Sequence, residues 1–170
     1  MSSQTIRVLG IDTSLRSTGV GIVEARGARL SVVEHDNLGM PAKYSLSECL
    51  KRLNQGIVEI IKRGQPETAA IEGIFFCKNV KTAVTLGEAR GVVIAACAGC
   101  GLPVYEYSPR RVKQAVAGFG TAGKEQVRMM VMSLLGLREE PQEDAGDALA
   151  IAICHLHNRT GHAVLMPKEI

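Results

Sequence analysis

The sequence predicts an α/β fold in which a mixed sheet opens with three antiparallel strands, continues through parallel βαβ units and carries helices on both faces. Three observations predict it. Short apolar runs separated by tight-turn residues crowd the start of the chain. A helical period of apolar residues then leads into a short apolar run bounded by breakers. From there helical and strand patterns alternate until an apolar helix near the end.

The first strand is RVLGID, Arg7–Asp12, an apolar run that ends in a carboxylate. The polar stretch Thr13–Thr18 turns the chain into a second strand, GVGIVEA, and Arg26-Gly27 turns it again into LSVVEH. Hairpins this short make an antiparallel meander. From Ser45 to Arg63, Leu46, Leu50, Leu53, Ile57 and Ile60/Ile61 recur every three or four residues, the mark of an amphipathic helix that Gly64 and Pro66 stop. The following run TAAIEG is short, apolar and bounded by breakers, as a buried parallel strand is.

Asn79–Cys97 reads as a helix and PVYEY as a further strand. Ser108-Pro109 then supplies a capping hydroxyl and a first-turn proline for another helix. AGFGTAG, residues 117–123, holds too much Gly and Ala for a regular element and reads as a mobile loop. Val127, Met130, Val131, Leu134 and Leu135 restore helical spacing after it. The last helix begins near Asp144 and runs through ALAIAIC, apolar on nearly every side, so it belongs against the sheet. After His157 the pattern fades. One domain over residues 1–158 with a tail over 159–170 is expected, without repeats or linkers.

The chain's 170 residues suffice to bury roughly 68–70% of the unfolded surface. With 46% hydrophobic residues but only 4% aromatic and no Trp, aliphatic side chains must fill the core. No uninterrupted apolar run is long enough for a membrane span, and MSSQTIRVLG lacks the features of a signal peptide, so a soluble, cytoplasmic protein is expected. Five cysteines, Cys49, Cys77, Cys97, Cys100 and Cys154, fall mostly in apolar runs and suit reduced, buried thiols. Cys97 and Cys100 form a C-x-x-C, but with no second pair to complete a zinc site it reads as core packing. The net charge of +3 says little by itself. Its distribution says more: Arg110, Arg111, Lys113, Lys124 and Arg128 cluster in one segment opposed by Glu125, which suits either a polyanion or a solvated basic face.

Chemistry gathers around carboxylates. Asp12 and Glu72 each end an apolar strand, and a right-handed β-α-β connection can set those strands side by side. Each taken alone fits a solvated strand end, but converging partly buried carboxylates require a cation, a hydrogen-bond network or a metal ion. Asp144 and Asp147 lie three residues apart in the first turn of the last helix, on one face. Helix capping and the helix dipole explain acids there too, yet the buried body of that helix would hold both against the sheet. Four hard oxygen donors suit Mg²⁺ or Mn²⁺ better than zinc, and two such ions together catalyse phosphodiester cleavage. His155 and His157 lie more than two turns away from Asp147 and read as packing or surface residues.

These residues fall within a wider pattern. LGID…R.TG from Leu9 to Gly19, AIE..F at Ala70–Phe75, LG.ARG from Leu86 to Gly91, VKQ.V.G.G.A.K.QV from Val112 to Val127 and D..DALAIAI at Asp144–Ile153 resemble the RuvC family of bacterial Holliday junction resolvases up to His157. The resemblance implies a ribonuclease-H-like fold and a homodimer with two active sites. It further implies paired Mg²⁺-dependent nicks in opposed strands of a four-way DNA junction, leaving 5′-phosphates and ligatable ends in recombination and repair, with two Mg²⁺ per site, Mn²⁺ substituting, and RuvA and RuvB as associates. Carried over by position, the catalytic and metal-binding acids are Asp12, Glu72, Asp144 and Asp147, the DNA-contacting lysines Lys113 and Lys124, and the junction-probing aromatic Phe75. Arg110 and Arg128 join the DNA-binding set from the basic segment. The chain departs from the family in the first loop, where Thr13-Ser14 replaces the usual Pro-Gly.

Two other functions compete. A strand followed by D-x-S and a glycine hairpin is also similar to the phosphate-binding start of actin-like ATPase-fold phosphotransferases, which require a second related domain. A branched-DNA-binding module that does not cut is the other; the presence of all four acids favours the nuclease.

Overall fold

A computed structural model describes residues 5–73, 79–159, 167, 169 and 170. Three strands come first, β1 (Thr5–Asp12), β2 (Ser17–Arg26) and β3 (Arg29–Gly39), followed by α1 (Leu46–Gly64), β4 (Thr68–Glu72), α2 (Val80–Gly99) and β5 (Val104–Tyr107). Helices α3 (Pro109–Ala117), α4 (Lys124–Leu135) and α5 (Glu143–Arg159) complete the chain. The sheet runs β3-β2-β1-β4-β5, with the meander antiparallel and β1, β4 and β5 parallel, as the sequence predicts.

Strand alternation divides the core in two. Leu9, Ile11, Val20, Ile22 and Ile71 meet α1 and α2 on one face. Val8, Val23, Ala70 and Tyr107 meet α3, α4 and α5 on the other. Helix α5 is buried on nearly every side, from Ala145 through Leu156. It fits so closely because the strands beneath it carry glycine where side chains would point: a Cβ on Gly10 would stand 1.9 Å from the Ala148 carbonyl oxygen, and one on Gly19 would stand 1.9 Å from that of Asp144. These two glycines set the first two turns of α5 directly on β1 and β2.

Local signals act as expected at most ends. Ser45 and Ser108 accept hydrogen bonds from the backbone N–H of Glu48 and Arg111, and Pro109 opens α3. Gly118 ends α3 at φ 88°, a left-handed conformation open to glycine without strain. Some expectations need correction. β3 extends to Gly39, beyond the apolar run that predicts it, and α2 runs to Gly99. Leu46 and Met130 lie at the solvent edge of their helices, because each stands at the margin of the apolar stripe. Among the described residues one helix, α2, is long and apolar enough by length and composition to cross a membrane. It packs instead on α1, with Arg90 donating to the Glu72 carbonyl at 2.7 Å and pairing with Glu106.

Cys49, Cys97 and Cys154 are buried and unbridged, and burial pushes the Cys97 thiol up to about 12. Cys100 is exposed, because it lies past the end of α2, so only the first half of the C-x-x-C packs in the core. His155 is buried between Tyr107 and Thr68, 2.9 and 3.3 Å from their hydroxyls, and burial pulls its pKa down to about 4. His157 is exposed, near the Ala115 carbonyl at 2.9 Å. Both are packing or surface residues, as their distance from the acids suggests. The last residues return to the sheet edge: Glu169 bridges Tyr105 and Ile170 N–H donates to the Val104 carbonyl.

Candidate active site

The parallel pairing of β1 and β4 brings two acids together. Ile11 stands opposite Ile71, so Asp12 and Glu72, one residue further along each strand, end side by side. Both point toward α5, in the same alternation as Val8 and Ala70. Asp12, Glu72 and Asp147 then line one cavity of about 270 Å³, walled by Pro109, Val112 and Val127 and bordered by Lys113 and Lys124. Asp144 stands beside it over Gly19, where its carboxylate accepts hydrogen bonds from Ser17 Oγ and from Asn37 Nδ2 at 3.2 Å. The four predicted acids therefore gather at one end of the sheet, each partly buried.

The electrostatics show the strain of that gathering. Burial, followed by repulsion from Asp147, Glu72 and Asp144, pushes the Asp12 carboxyl up to about 7, and Lys124 only partly offsets this. Burial and Asp147 raise Glu72 against the pull of Lys113 and Lys124. Burial also raises Asp147, opposed by Lys124, whose Nζ lies 3.6 Å from its carboxylate. These lysines come from α3 and α4, not from the strands. Among the described residues no three such side chains converge tightly enough to chelate an ion as they stand.

The other predicted residues distribute unevenly. Lys124 reaches Glu143 as well as Asp147 and is largely exposed. Arg110 is exposed, its stem lying against Gly120 in the glycine loop. Arg128 is engaged by Glu125 and Glu140 and lines a second cavity of about 430 Å³, which shares Lys124, Val127 and Asp147 with the first. The smaller cavity holds three of the four predicted acids, the larger only Asp147. Arg111 turns inward to Asn158 at 3.0 Å. Phe75 lies outside the described residues. In the first loop, Ser14 takes the place of a rigid turn residue by bonding: its hydroxyl donates to the Ser17 carbonyl at 2.9 Å and accepts from the Ser17 N–H at 3.1 Å. Three residues with roles here carry no signal of their own in the sequence: Ser17, Asn37 and Arg90. Arg90 falls in LG.ARG, but its task of holding the Glu72 end of β4 emerges only from the packing.

Comparison with known proteins identifies the family and the fold. The profile of the family described as crossover junction endodeoxyribonuclease RuvC matches residues 8–155. A relative from Pelotomaculum thermopropionicum is 51% identical over 95% of this chain and 99% of its own length. Another, from Desulfitobacterium hafniense, is 48% identical over 92% and 99%. Both carry the same description. Among solved structures, T. thermophilus RuvC in complex with Holliday junction substrate superposes with a TM-score of 0.90 at 34% identity, covering 97% of this chain and 99% of that one. The fold also resembles that of a yeast mitochondrial Holliday junction resolvase, with a TM-score of 0.68 at 12% identity over 92% of this chain and 80% of the other. The chain belongs to the RuvC family, the crossover junction endodeoxyribonucleases.

Proposed function

We propose that this protein resolves four-way DNA junctions by metal-dependent hydrolysis at the carboxylate cluster, with one nick in each of two opposed strands. The observation that carries this reading is the cavity shared by Asp12, Glu72 and Asp147, with Asp144 beside it and Lys113 and Lys124 at its rim. The donor set fits the metal: four hard oxygen donors, with burial and like-charge neighbours disfavouring the ionised state of Asp12, Glu72 and Asp147, a cost that a cation would offset. Two Mg²⁺ ions, or Mn²⁺ in their place, held by these acids would supply an activated water and charge stabilisation for the departing oxygen. Asp12, Glu72, Asp144 and Asp147 are the holders of those ions. Their ionised forms supply the charge that positions them.

Lys113 and Lys124 bind phosphates of the entering strand and screen it from the carboxylates, a contribution that weakens with salt. Arg110 extends that phosphate track, and Arg128 joins it on leaving its glutamate partners. Phe75, three residues after Glu72 in sequence, stacks on a base unpaired at the crossover, a contact of about 1–3 kcal/mol. Water attack that leaves 5′-phosphates yields ends a ligase can seal.

Paired nicks require two sites, and α2 supplies a surface for a homodimer. Val80, Val84, Gly87, Gly91, Ala95 and Ala98 recur with heptad-like spacing along its exposed side. A Cβ on Gly87 or Gly91 would meet nothing within 4 Å, so two copies of the helix can approach closely there. Residues 1–158 form the nuclease domain and 159–170 its tail. The protein works in the cytoplasm, with RuvA and RuvB as associates and no membrane contact.

Incubation with an end-labelled mobile four-way junction and a matched linear duplex, with and without Mg²⁺, tests the reading. Symmetric Mg²⁺-dependent nicks confined to the junction and sealed by ligase are expected. Junction binding without cleavage in Mg²⁺ and Mn²⁺ would leave only a binding module, and indifference to both DNAs would remove the nucleic-acid reading altogether.

A further inference from the structure

We infer that Asn37, together with Ser17, is a positioning residue that locks Asp144 so that a single carboxylate oxygen is left for the metal. The inference rests on the reading of Asp144 as a metal-binding acid.

Sheet register creates the arrangement. Asp12 pairs with Gly19 and Gly19 pairs with Asn37, so the three form one row across β1, β2 and β3. Directly paired residues project from the same face, here the face covered by α5. The middle of the row has no side chain. That vacancy admits the Asp144 backbone, whose carbonyl oxygen would be 1.9 Å from a Cβ on Gly19. Asp144 thus rests between Asp12 on one side and Asn37 on the other.

The hydrogen bonds are used economically. Asn37 Nδ2 has two N–H donors; one reaches Asp144 Oδ2 at 3.2 Å and the other Ser17 Oγ at 3.3 Å. Ser17 Oγ, having accepted from Asn37, donates its own hydrogen to the same Asp144 Oδ2. A carboxylate oxygen accepts about two hydrogen bonds, so Oδ2 is saturated by protein donors and Oδ1 remains for a cation. The amide orientation is fixed, since reversing it would set Oδ1 of Asn37 against a carboxylate oxygen. In the present orientation Asn37 Oδ1 is buried without a hydrogen-bond partner. A network that leaves a buried acceptor unsatisfied is a poor device for stability alone. It is a good device for aiming one acid, because groups that orient metal ligands commonly govern affinity by 10- to 100-fold.

Asn37→Ala and Ser17→Ala remove the donors, and Asn37→Asp substitutes an acceptor-only group that repels Asp144. Each is compared with wild type and with Asp144→Asn, after circular dichroism melts confirm folding. Two readouts are used: Mn²⁺ binding to the metal-free protein, followed by the electron paramagnetic resonance signal of the free ion, and the Mg²⁺ concentration giving half-maximal junction cleavage. Asn37→Ala is expected to weaken Mn²⁺ binding about tenfold, to raise the Mg²⁺ midpoint by a similar factor and to recover most of its rate at high Mg²⁺, with junction affinity in EDTA unchanged. Asn37→Asp is expected to do worse than Asn37→Ala. If Asp144→Asn is inactive while all three neighbours keep wild-type Mn²⁺ affinity and Mg²⁺ midpoint, the positioning role is refuted and the acid's role stands. Full activity in Asp144→Asn would instead refute the reading of the acid, and the positioning role with it.

Discussion

Asp12→Asn is expected to stabilise the metal-free protein while destroying its activity, and the size of the gain follows from the site. Burial and three neighbouring carboxylates raise the Asp12 pKa from 3.8 to about 7. Between those values the folded protein holds a proton that the unfolded chain has released, so stability falls as pH rises through that window. At ~1.4 kcal/mol per pH unit the loss reaches about 4 kcal/mol by pH 7. His155 works in the opposite direction. Its pKa is lowered from 6.5 to about 4, so the unfolded chain takes up a proton first as pH falls, and stability drops by about 3 kcal/mol on going from pH 6.5 to pH 4. In the wild type the two effects largely cancel. Asp12→Asn removes the first and exposes the second. Urea denaturation in EDTA, followed by circular dichroism from pH 4 to 7.5, should show the two proteins alike near pH 4 and the variant gaining steadily above it. The expected gap of about 4 kcal/mol near pH 7 corresponds to a midpoint shift on the order of 2 M urea. Saturating Mg²⁺ should narrow or reverse the gap, because only the wild type retains the full carboxylate set. A gap that does not grow with pH in EDTA would refute the claim that Asp12 sits under burial and like-charge repulsion.

Other residues give sharper local tests. Lys124→Ala should weaken junction binding and reduce the slope of log affinity against log salt by about one; an unchanged slope in filter-binding titrations would place Lys124 off the phosphate path. Gly19→Ala forces a Cβ to within 1.9 Å of the Asp144 carbonyl and should cost about 1–3 kcal/mol or more together with most of the cleavage rate; wild-type melting and activity would show that α5 does not need to lie so close. Gly91→Glu adds a charge where a Cβ has open space, so the monomer should melt as before while sedimentation reports loss of the dimer and the two nicks become uncoupled; a dimer that survives would place the interface elsewhere than α2.

Periodicity made most elements legible. The meander, α1, β4 and the buried α5 all have apolar patterns that match their geometry, and Ser108-Pro109 marks the start of α3 through a cap and a first-turn proline. The acids were legible for a related reason: a carboxylate closing an apolar strand conflicts with burial, and the conflict calls for a cation. What stayed hidden depends on register. β3 is an edge strand whose Asp36 and Asn37 break the apolar alternation, so the sequence pattern ends at His35 and gives no signal for Asn37. Its role exists only because Gly19 lies opposite it and α5 settles over that glycine. Lys113 and Lys124 stand out in the basic segment, but their offsetting of the acids emerges only when α3 and α4 bring them to the ends of β1 and β4. Arg128, prominent in the basic segment, is drawn to Glu125 and Glu140, and Glu140 reaches it from beyond the end of α4.

The central claim is that Asp12, Glu72, Asp144 and Asp147 together form the metal-dependent reaction centre. Its most direct test is cleavage of a labelled four-way junction in Mg²⁺, alongside junction binding in Ca²⁺, for Asp12→Asn, Glu72→Gln, Asp144→Asn and Asp147→Asn. Loss of cutting in every variant, with binding largely retained, is the predicted result; wild-type cutting by any one of them would remove that acid from the centre and contradict the account.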